Sequence, residues 1–530
     1  MFNRNQILLF WAKSAPYHPL LYHSIDAGAM TRSILSHPSF SYLRKTFDSC
    51  FTPTNQLNTS DLIDLVSYFA SLHDFGKLSD KFQGKRDAMI EFLADYNIEI
   101  LRSTEPFRHE VLSSSILSND MGLRNVLPSD LFPSFLWMIR SHHSKDITEE
   151  NEYSAESMRW AEVRSVFKEY LEAQFLHGID RNQFRGIRVS NFAALSTILL
   201  GTLILADWLV SNPQVYDYET LAANCEELYN NDPEFYGQNL TELLNVYKNN
   251  AINHAEQVLN SMGFGGSIIF PTPLDYVSLF HNEIFRTLRP IQEQISTLSS
   301  TIQRPGLTLI EAPMGEGKTE AAIYEAVSYI QKLGLNGFYF ALPTAATSNQ
   351  MFSRIKKCLE ALESNFPPNL RLVHSTALLL DDVGTNISAE MDAGDRKQQQ
   401  ILESWFHPNR RGILAPYCVG TVDQVMKAVM KGKFSILRLF GLMNKVLIID
   451  EIHSYDTYMM ESIEMLVKWC AMLKIPIILL SATLPEARKN HLFQQFSEYS
   501  NPNFSNHEFT APQLQFSQRR AYPLITHYDP

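Results

Sequence analysis

The sequence has no excess of basic charge, few cysteines and only one long apolar run. Its 530 residues carry 45 Lys and Arg against 57 Asp and Glu, a net charge of −12. That balance excludes binding of nucleic acid through bulk charge and leaves room only for a local basic patch. The five scattered cysteines form no C-x-x-C pair. They exclude a zinc ribbon or a disulfide framework and predict reduced thiols in the cytoplasm. No signal peptide is predicted at the start of the chain.

The single long apolar run covers residues 192–210, a length that would span a bilayer. It contains Asp207, two threonines and a serine, and no belt of aromatic and basic residues brackets both of its ends. We therefore predict a buried helix that carries one functional carboxylate, and we expect no membrane partner.

Hydrophobic periodicity divides the rest of the chain. Helical patterns dominate residues 1–250, whereas short apolar strands alternate with helical segments from about residue 285 onward. This predicts a multidomain chain, with an all-α domain over 1–250, a linker over 251–285 and an α/β domain over 286–505. The α/β domain is expected to have a mostly parallel, doubly wound sheet.

The adjacent pair His73 and Asp74 ends a helical segment and is the first candidate for metal binding. Neighbouring helical residues lie about 100° apart, so the two side chains can flank one ion. Lys77 follows on the same face, where its ammonium would hold an anionic substrate oxygen. Asp74, with two oxygens, is the natural bridge between two ions.

Further candidate ligands are spread through the first half of the chain. The order H…HD…D resembles the HD phosphohydrolase superfamily, and two extra positions would serve a second metal. A mixed nitrogen and oxygen set favours Fe, Mn, Co or Ni over Mg. The alternative interpretation is a helical bundle with structural histidines. The predicted metal ligands are His23, His73, Asp74, His109, His142, His143 and Asp207.

A phosphate-binding loop is predicted between a strand and a helix in the second half. Gly315 and Gly317 allow backbone N–H groups to face phosphates, Lys318 would reach the β- and γ-phosphates, and Thr319 would ligate Mg. Ala312 stands where the strict pattern has its first glycine.

Acidic residues follow a later apolar strand. Asp450 would hold Mg through water, and Glu451 would orient or deprotonate the attacking water. His453 completes a D-E-x-H box, and the segment 481–483 reads Ser-Ala-Thr after the next strand. An ordinary α/β domain with acidic strand ends is the alternative.

These segments, GEGKT, DEIH and SAT, resemble motifs I, II and III of superfamily 2 helicases, and 286–505 then corresponds to a first RecA-like lobe. Gln292 resembles their adenine-reading glutamine. The segments at Pro343–Thr344 and Gly420–Asp423 resemble those that grip a nucleic-acid backbone.

An HD domain ahead of such a lobe resembles the CRISPR-associated HD nuclease–helicases of type I systems. The resemblance implies that two metal ions serve cleavage of single-stranded DNA, that a crRNA-guided surveillance complex recruits the protein, and that ATP with Mg drives 3'–5' unwinding. It places His23, His73, Asp74 and Asp207 around one metal. Asp74 and the remaining three histidines would surround the other.

The resemblance also implies a second RecA-like lobe, and residues 506–530 resemble the start of the connection to it. We therefore expect this chain alone to bind ATP and hydrolyse it poorly, and the two alternatives are a truncated product or a separate chain that supplies the second lobe. Two other functions remain open, namely an HD nucleotide phosphohydrolase regulated by an ATPase lobe and a catalytically incomplete DNA-binding fragment.

Overall fold

The computed structural model describes two compact units. The N-terminal unit comprises Met1–His37 and Asp48–Leu259, and the C-terminal unit comprises Pro38–Phe47 and Asn260–Pro530. The described residues are 4–52, 58–104, 106–127, 131–143, 158–230, 240–264, 268–362, 369–373, 401, 404–406, 411–430, 432, 434–500, 515–516 and 523–530.

Helices make up most of the described N-terminal half. They are α1 (Leu20–Ser36), α2 (Ser41–Asp48), α3 (Thr59–Ser71), α4 (Asp80–Gln83), α5 (Asp87–Asp95), α6 (His109–Ser118), α7 (Met121–Val126), α8 (Leu131–Ser141), α9 (Met158–Phe175), α10 (Phe192–Val210), α11 (Tyr218–Asn230) and α12 (Leu240–Ser261).

Two helices that are buried around most of their circumference form the centre of the N-terminal unit. Helix α1 packs against α3 and α10, and α10 also contacts α8. Nearly all residues of α1 are buried. Helix α10 is apolar enough to cross a membrane, but 78% of its most apolar stretch is buried inside the protein. Because a helix that is apolar all round needs other helices around it in water, α10 fits the predicted buried core helix.

A short antiparallel ribbon precedes α1. Strands β1 (Trp11–Ser14) and β2 (Tyr17–Pro19) pair with Lys13 opposite His18. No pattern in the sequence predicts this ribbon, because each strand is too short to show an alternation of apolar and polar residues.

The C-terminal unit alternates strands and helices. Its strands are β3 (Leu307–Glu311), β4 (Gly337–Leu342), β5 (Leu370–Val373), β6 (Tyr417–Thr421), β7 (Lys445–Ile449), β8 (Ile477–Ser481), β9 (Gln515–Phe516) and β10 (Leu524–Tyr528). Its further helices are α13 (Tyr276–Phe280), α14 (Pro290–Thr301), α15 (Lys318–Leu333), α16 (Ala345–Leu362), α17 (Val422–Met426), α18 (Ser435–Met443), α19 (Thr457–Met472) and α20 (Glu486–Ser500).

The strands form one sheet in the order β5-β6-β4-β7-β8-β3-β10-β9. The first six are parallel to their neighbours, while β10 runs antiparallel to β3 and β9 antiparallel to β10. Every residue of β3, β4, β7 and β8 is buried, as expected for parallel strands covered on both faces. The predicted order of a helical domain and an α/β domain with a mostly parallel sheet is confirmed.

The structure divides the chain differently from the predicted boundaries at three places. Helix α12 continues past residue 250, because buried Ala251, Ala255 and Leu259 extend its apolar stripe. Residues 38–47 group with the C-terminal unit, where Tyr42 donates a hydrogen bond to the carbonyl of Lys474. The described part of the predicted 506–530 connection forms β9 and β10 of the same sheet.

Candidate metal centre and nucleotide site

Five separate segments contribute the predicted metal ligands of the N-terminal unit. His23 lies in the first turn of α1, and His73 and Asp74 follow the end of α3. His109 is the first residue of α6, and Asp207 lies in the last turn of α10. The remaining pair, His142 and His143, follows the end of α8.

Asp74 lies at the centre of the cluster. Its Oδ2 atom is 3.3 Å from His23 Nε2 and 3.4 Å from His73 Nε2. Its Oδ1 atom is 2.9 Å from His109 Nε2 and 3.9 Å from His142 Nε2. The two oxygens of one carboxylate therefore face two different groups of histidines.

Each group is completed by a further side chain. Asp207 Oδ1 lies 3.6 Å from His23 Nε2 and 3.7 Å from His73 Nε2. His143 Nε2 lies 3.1 Å from His109 Nε2. Ligand atoms of His23, His73 and Asp74 lie within 4.8 Å of one another, and so do those of the three remaining histidines. The structure thus brings all seven predicted ligands together in two adjacent groups.

The unused nitrogens of this cluster fit metal ions. His73 and His142 donate through Nδ1 to the carbonyls of Ala70 (2.8 Å) and Ile139 (2.6 Å). Their Nε2 atoms are buried and have no hydrogen-bond partner among the described residues. A buried nitrogen without a partner costs free energy, whereas a metal ion would satisfy it, and carbonyls commonly orient metal-binding histidines in this way.

Protonation in the cluster follows from burial and neighbouring charge. Burial alone would raise the pKa of Asp74, but His73, Lys77 and His109 hold it well below its usual range. His23 and His73 likewise outweigh burial and hold the pKa of Asp207 low. Both carboxylates are therefore ionised, as metal ligands must be.

The histidines are affected in opposite directions. Burial, followed by the charge of His143, holds the pKa of His142 well below its usual range, so this ring is neutral. Burial also disfavours the charged form of His73, but the carboxylates of Asp74 and Asp207 outweigh it and raise the pKa of His73 to about 10. A cation that takes the Nε2 position of His73 must therefore displace a proton.

Several residues that the sequence reasoning missed surround these ligands. Ser211 donates through Oγ to Asp207 Oδ1 at 2.9 Å, and its position four residues after Asp207 is the signal that would have indicated it. Lys13 donates to the carbonyl of Ser211. Gln83 donates to the carbonyl of Lys77 at 3.1 Å and so helps to hold the loop behind Asp74. No local pattern marks Lys13 or Gln83.

The predicted phosphate loop connects β3 to α15 in the C-terminal unit. Gly315 and Gly317 have φ angles of 82° and 86°, a region that side chains other than glycine rarely adopt. Buried Lys318 begins α15 and donates to the carbonyls of Ala312 and Pro313 at the start of the loop, and Thr319 follows it in the first turn. The loop therefore presents its cation and a helix N-terminus together, as phosphate binding requires.

Gln292 lies beside this loop and is almost fully buried. Its Oε1 accepts a hydrogen bond from Arg289 N at 3.0 Å and so caps α14. A Cβ atom at Gly317 would lie only 2.6 Å from Gln292 Nε2, so a larger residue there would displace the glutamine amide in addition to straining a backbone with a φ of 86°. The glutamine is thus a packing and capping residue as well as the predicted adenine contact.

The acidic residues follow β7 at the same edge of the sheet. Burial and the neighbouring Glu451 carboxylate raise the pKa of Asp450 to about 6. Ala482 N donates to His453 Nδ1 at 3.3 Å, so the ring proton is on Nε2, 3.2 Å from Glu451 Oε2. His453 thereby connects Glu451 to the loop after β8.

The segments expected to grip nucleic acid follow neighbouring strands. Pro343 and Thr344 come after β4, and Gly420 and Thr421 end β6, which pairs with β4 in parallel register. The basic residues that follow differ in exposure, since Lys427 is exposed while Arg438 is buried and donates to the carbonyl of Gln424. Burial excludes Arg438 from phosphate contact in this conformation. Two further lysines considered there, Lys431 and Lys433, lie outside the described residues.

Family comparisons match each unit separately. Residues 11–216 match the family Cas3, HD domain, and residues 289–491 match the family DEAD/DEAH box helicase. The CRISPR-associated endonuclease/helicase Cas3 of Thermus thermophilus is 28% identical over 506 residues, which is 92% of this chain and 51% of that protein. The Escherichia coli protein of the same name is 25% identical, over 97% of this chain and 57% of its own length. The chain thus spans about half the length of these relatives.

Solved structures agree with this assignment. The crystal structure of T. fusca Cas3 with AMPPNP is 27% identical with a TM-score of 0.75, over 98% of this chain and 55% of that one. A chain in a structure titled CRISPR RNA-guided surveillance complex, pre-nicking, is 25% identical with a TM-score of 0.66, over 98% and 52% of the two chains. The resemblance inferred from the motifs is confirmed, since the chain carries a Cas3 HD domain followed by a DEAD/DEAH box helicase domain, and Cas3 proteins and structures match it over nearly its whole length.

Proposed function

We propose that this chain acts as a CRISPR-associated nuclease–helicase of type I antiviral defence, in which the HD unit cleaves single-stranded DNA with two transition-metal ions. The observation that carries the proposal is the position of Asp74, whose two oxygens each face one group of histidines. A carboxylate placed in this way is the bridging ligand that a two-metal phosphodiesterase needs.

The cluster suits Fe, Mn, Co or Ni, because most of its ligand atoms are imidazole nitrogens. When bound, two such ions would polarise the phosphodiester and activate a water molecule. Asp207 and Asp74, with His23 and His73, would hold one ion. Asp74 with the other three histidines would hold the second.

Lys77 is the protein group placed to meet the substrate. Its Nζ atom lies 2.6 Å from Asp74 Oδ2, and 12% of its side chain is exposed, so the ammonium lies at the edge of the cluster. There it would hold a non-bridging phosphate oxygen and stabilise the charge that develops during cleavage. The carboxylate of Asp74 keeps this ammonium in position.

The helicase unit would bind ATP with Mg. Lys318 would exchange its loop carbonyls for the β- and γ-phosphates, and Thr319 and Asp450 would hold Mg. Glu451 would orient the attacking water while His453 donates to its other oxygen. The protonated fraction of Asp450 at neutral pH would fall on binding Mg, because a nearby cation favours the carboxylate.

We infer that a crRNA-guided surveillance complex recruits this protein to single-stranded DNA in the cytoplasm. This inference is supported by the similar chain in the pre-nicking surveillance complex.

Cleavage of a fluorescent single-stranded oligonucleotide tests the nuclease proposal. The full chain is incubated with Mn²⁺, Ni²⁺ or Co²⁺, and with EDTA. We expect cutting without ATP, none in EDTA, and more than about a hundredfold loss in Asp74→Asn, since the variant weakens the ligand that both ions share.

Asp87→Asn is the matched control, because Asp87 is an exposed carboxylate paired with Arg102 at 3.1 Å in the same unit. This variant should cut like the wild type. Equal cutting by Asp74→Asn and the wild type would overturn the proposal.

A further inference from the structure

Two lysines other than Lys77 lie around the metal cluster without a role in the account above. Lys13 comes from β1, and Lys85 follows α4. Lys85 and Lys77 lie over the same Phe82 ring, and burial together with the charge of Lys77 lowers the pKa of both Lys13 and Lys85. We call Lys13, Lys77 and Lys85 the lysine row.

Buried contacts fix one end of the row. Gln83 accepts a hydrogen bond from Trp11 N at 3.2 Å and donates to the carbonyls of Trp11 and Lys77, each at 3.1 Å. Because Gln83 is fully buried, it joins the strand that carries Lys13 to the loop that carries Lys77. The backbone segments that carry these two lysines are therefore held together by the fold.

Aromatic rings support the three ammonium groups. Lys77 Nζ and Lys85 Nζ lie 5.0 Å and 4.9 Å from the centre of the Phe82 ring. Lys13 Nζ lies 5.4 Å from the centre of the Tyr218 ring. Such contacts hold a lysine over an apolar surface while its N–H groups still point to solvent or to a ligand.

Lys13 retains capacity to bind an anion. Its ammonium donates one hydrogen bond, to the carbonyl of Ser211, among the described residues. Two of its three donors therefore remain, beside the helix end that carries Asp207. Exposed Lys85 makes ring contacts, and Glu110, an opposing charge that acts on it, already pairs with Arg108 at 2.8 Å.

Like charges placed side by side cost free energy unless an anion lies between them. The carboxylate of Asp74 offsets the charge of Lys77, and the carboxylate of Asp207 attracts Lys13. In the proposed function, however, the metal ions need both carboxylates. A polyanion that passes the cluster would offset the repulsion, and a single strand offers one phosphate after another.

We propose that the lysine row is a phosphate-binding path on which a single strand of DNA crosses the HD unit, with Lys13 and Lys85 holding phosphates on either side of the one at Lys77. This inference rests on the proposed nuclease function. Lys13 and Lys85 are binding residues in it, and cleavage remains with the metal cluster and Lys77.

The salt dependence of cleavage tests the row. The full chain and the variants Lys13→Gln, Lys85→Gln and the double variant cut a single-stranded oligonucleotide in Mn²⁺ over a range of KCl concentrations. Each phosphate contact on a single strand adds about −0.7 to the slope of log(kcat/KM) against log[KCl]. We expect each single variant to flatten the slope by about 0.7 and the double variant by about 1.4, with kcat unchanged at saturating DNA.

Lys248→Gln is the matched control. Lys248 also donates to one backbone carbonyl, that of Gln174 at 2.6 Å, and lies 6.0 Å from the ring centre of Phe175. It contacts none of the metal ligands among the described residues, so its slope should equal that of the wild type. Lys13→Arg keeps the charge and should restore the wild-type slope.

Unchanged slopes in Lys13→Gln and Lys85→Gln would overturn the lysine row. So would a fall in kcat together with lost metal in Lys13→Gln, because that result would make Lys13 a cap for the end of α10. If the wild type itself fails to cut, the proposed function fails and this inference fails with it. Wild-type cutting with unchanged slopes overturns the inference alone.

Discussion

At the scale of single residues, the proposed function of the N-terminal unit depends on the carboxylate of Asp74. It faces His23 and His73 with one oxygen and His109 with the other, and Lys77 approaches it at 2.6 Å. Each residue that contacts this carboxylate can therefore be tested by a substitution of its own.

Ser211→Ala should lower the affinity for metal ions roughly tenfold. The hydroxyl group of Ser211 donates to Asp207 Oδ1 at 2.9 Å, and loss of such an outer partner frees the ligand to rotate. Titration of the chelator-stripped protein with Mn²⁺ measures the change. Ser165→Ala is the control, because Ser165 donates to Glu169 at 3.3 Å on an exposed helix surface. A similar loss in both variants would contradict the role of Ser211.

Metal affinity should rise with pH. The carboxylates of Asp74 and Asp207 raise the pKa of His73 to about 10 against the opposing effect of burial. Below that pH the stripped site therefore holds a proton that ion binding must release. One released proton corresponds to about a tenfold gain in affinity per pH unit. Calorimetric titration in two buffers of different ionisation enthalpy measures the proton, and an affinity independent of pH would contradict the prediction.

At the scale of secondary-structure elements, a buried polar chain links β3, α15 and β10. Thr308 donates to Glu325 Oε1 and lies 2.8 Å from His527 Nδ1. Burial raises the pKa of Glu325 to about 8 from 4.5. Because the folded state holds this proton more tightly, the resulting stabilisation is complete below pH 4.5 and is lost as the pH rises through about 8.

Glu325→Gln should therefore become more stable relative to the wild type as the pH rises from about 5 to about 8. Glutamine keeps the oxygen that Thr308 needs but does not ionise. The melting temperatures of both proteins over this range measure the difference, with exposed Glu293→Gln as the control. A difference that does not change with pH would show that Glu325 is not protonated by burial.

Elements were predictable from the sequence to different extents. The strands β3, β4, β7 and β8 are predictable from the sequence because buried parallel strands are continuous apolar runs. The ribbon β1–β2 was missed, since its strands are too short for a pattern to show. The position of residues 38–47 in the C-terminal unit depends on contacts such as Ser41 to the carbonyl of Gly334 (3.1 Å), which no local pattern records.

At the scale of the whole molecule, one chain carries two sites with different chemistry. All seven predicted metal ligands came from motif order, and the structure brings them together from five helices and their ends. Motif order does not indicate Lys13 and Gln83, because their positions depend on tertiary contacts, and Ser211 is indicated only by its spacing of four residues after Asp207. Sequence motifs indicate the proposed metal ligands, whereas the contacts that support those ligands are seen only in the folded structure.

The two sites should fail independently. Lys318→Ala removes the ammonium from the phosphate loop and should abolish binding of a fluorescent ATP analogue, while cleavage of single-stranded DNA in Mn²⁺ without ATP stays at the wild-type rate. Asp74→Asn should show the reverse. Loss of cleavage in Lys318→Ala, with its fold intact by circular dichroism, would show that the nuclease depends on the nucleotide site.

Elemental analysis of protein reconstituted with Mn²⁺ and then freed of unbound metal probes the pocket around Asp74 most directly. A pair of ions per chain is the result expected for the wild type, with a clear loss in the Asp74→Asn protein and no loss in Asp87→Asn. Chains that retain no bound ion, or an Asp74→Asn protein that retains as much metal as the wild type, would contradict a shared carboxylate between two ions.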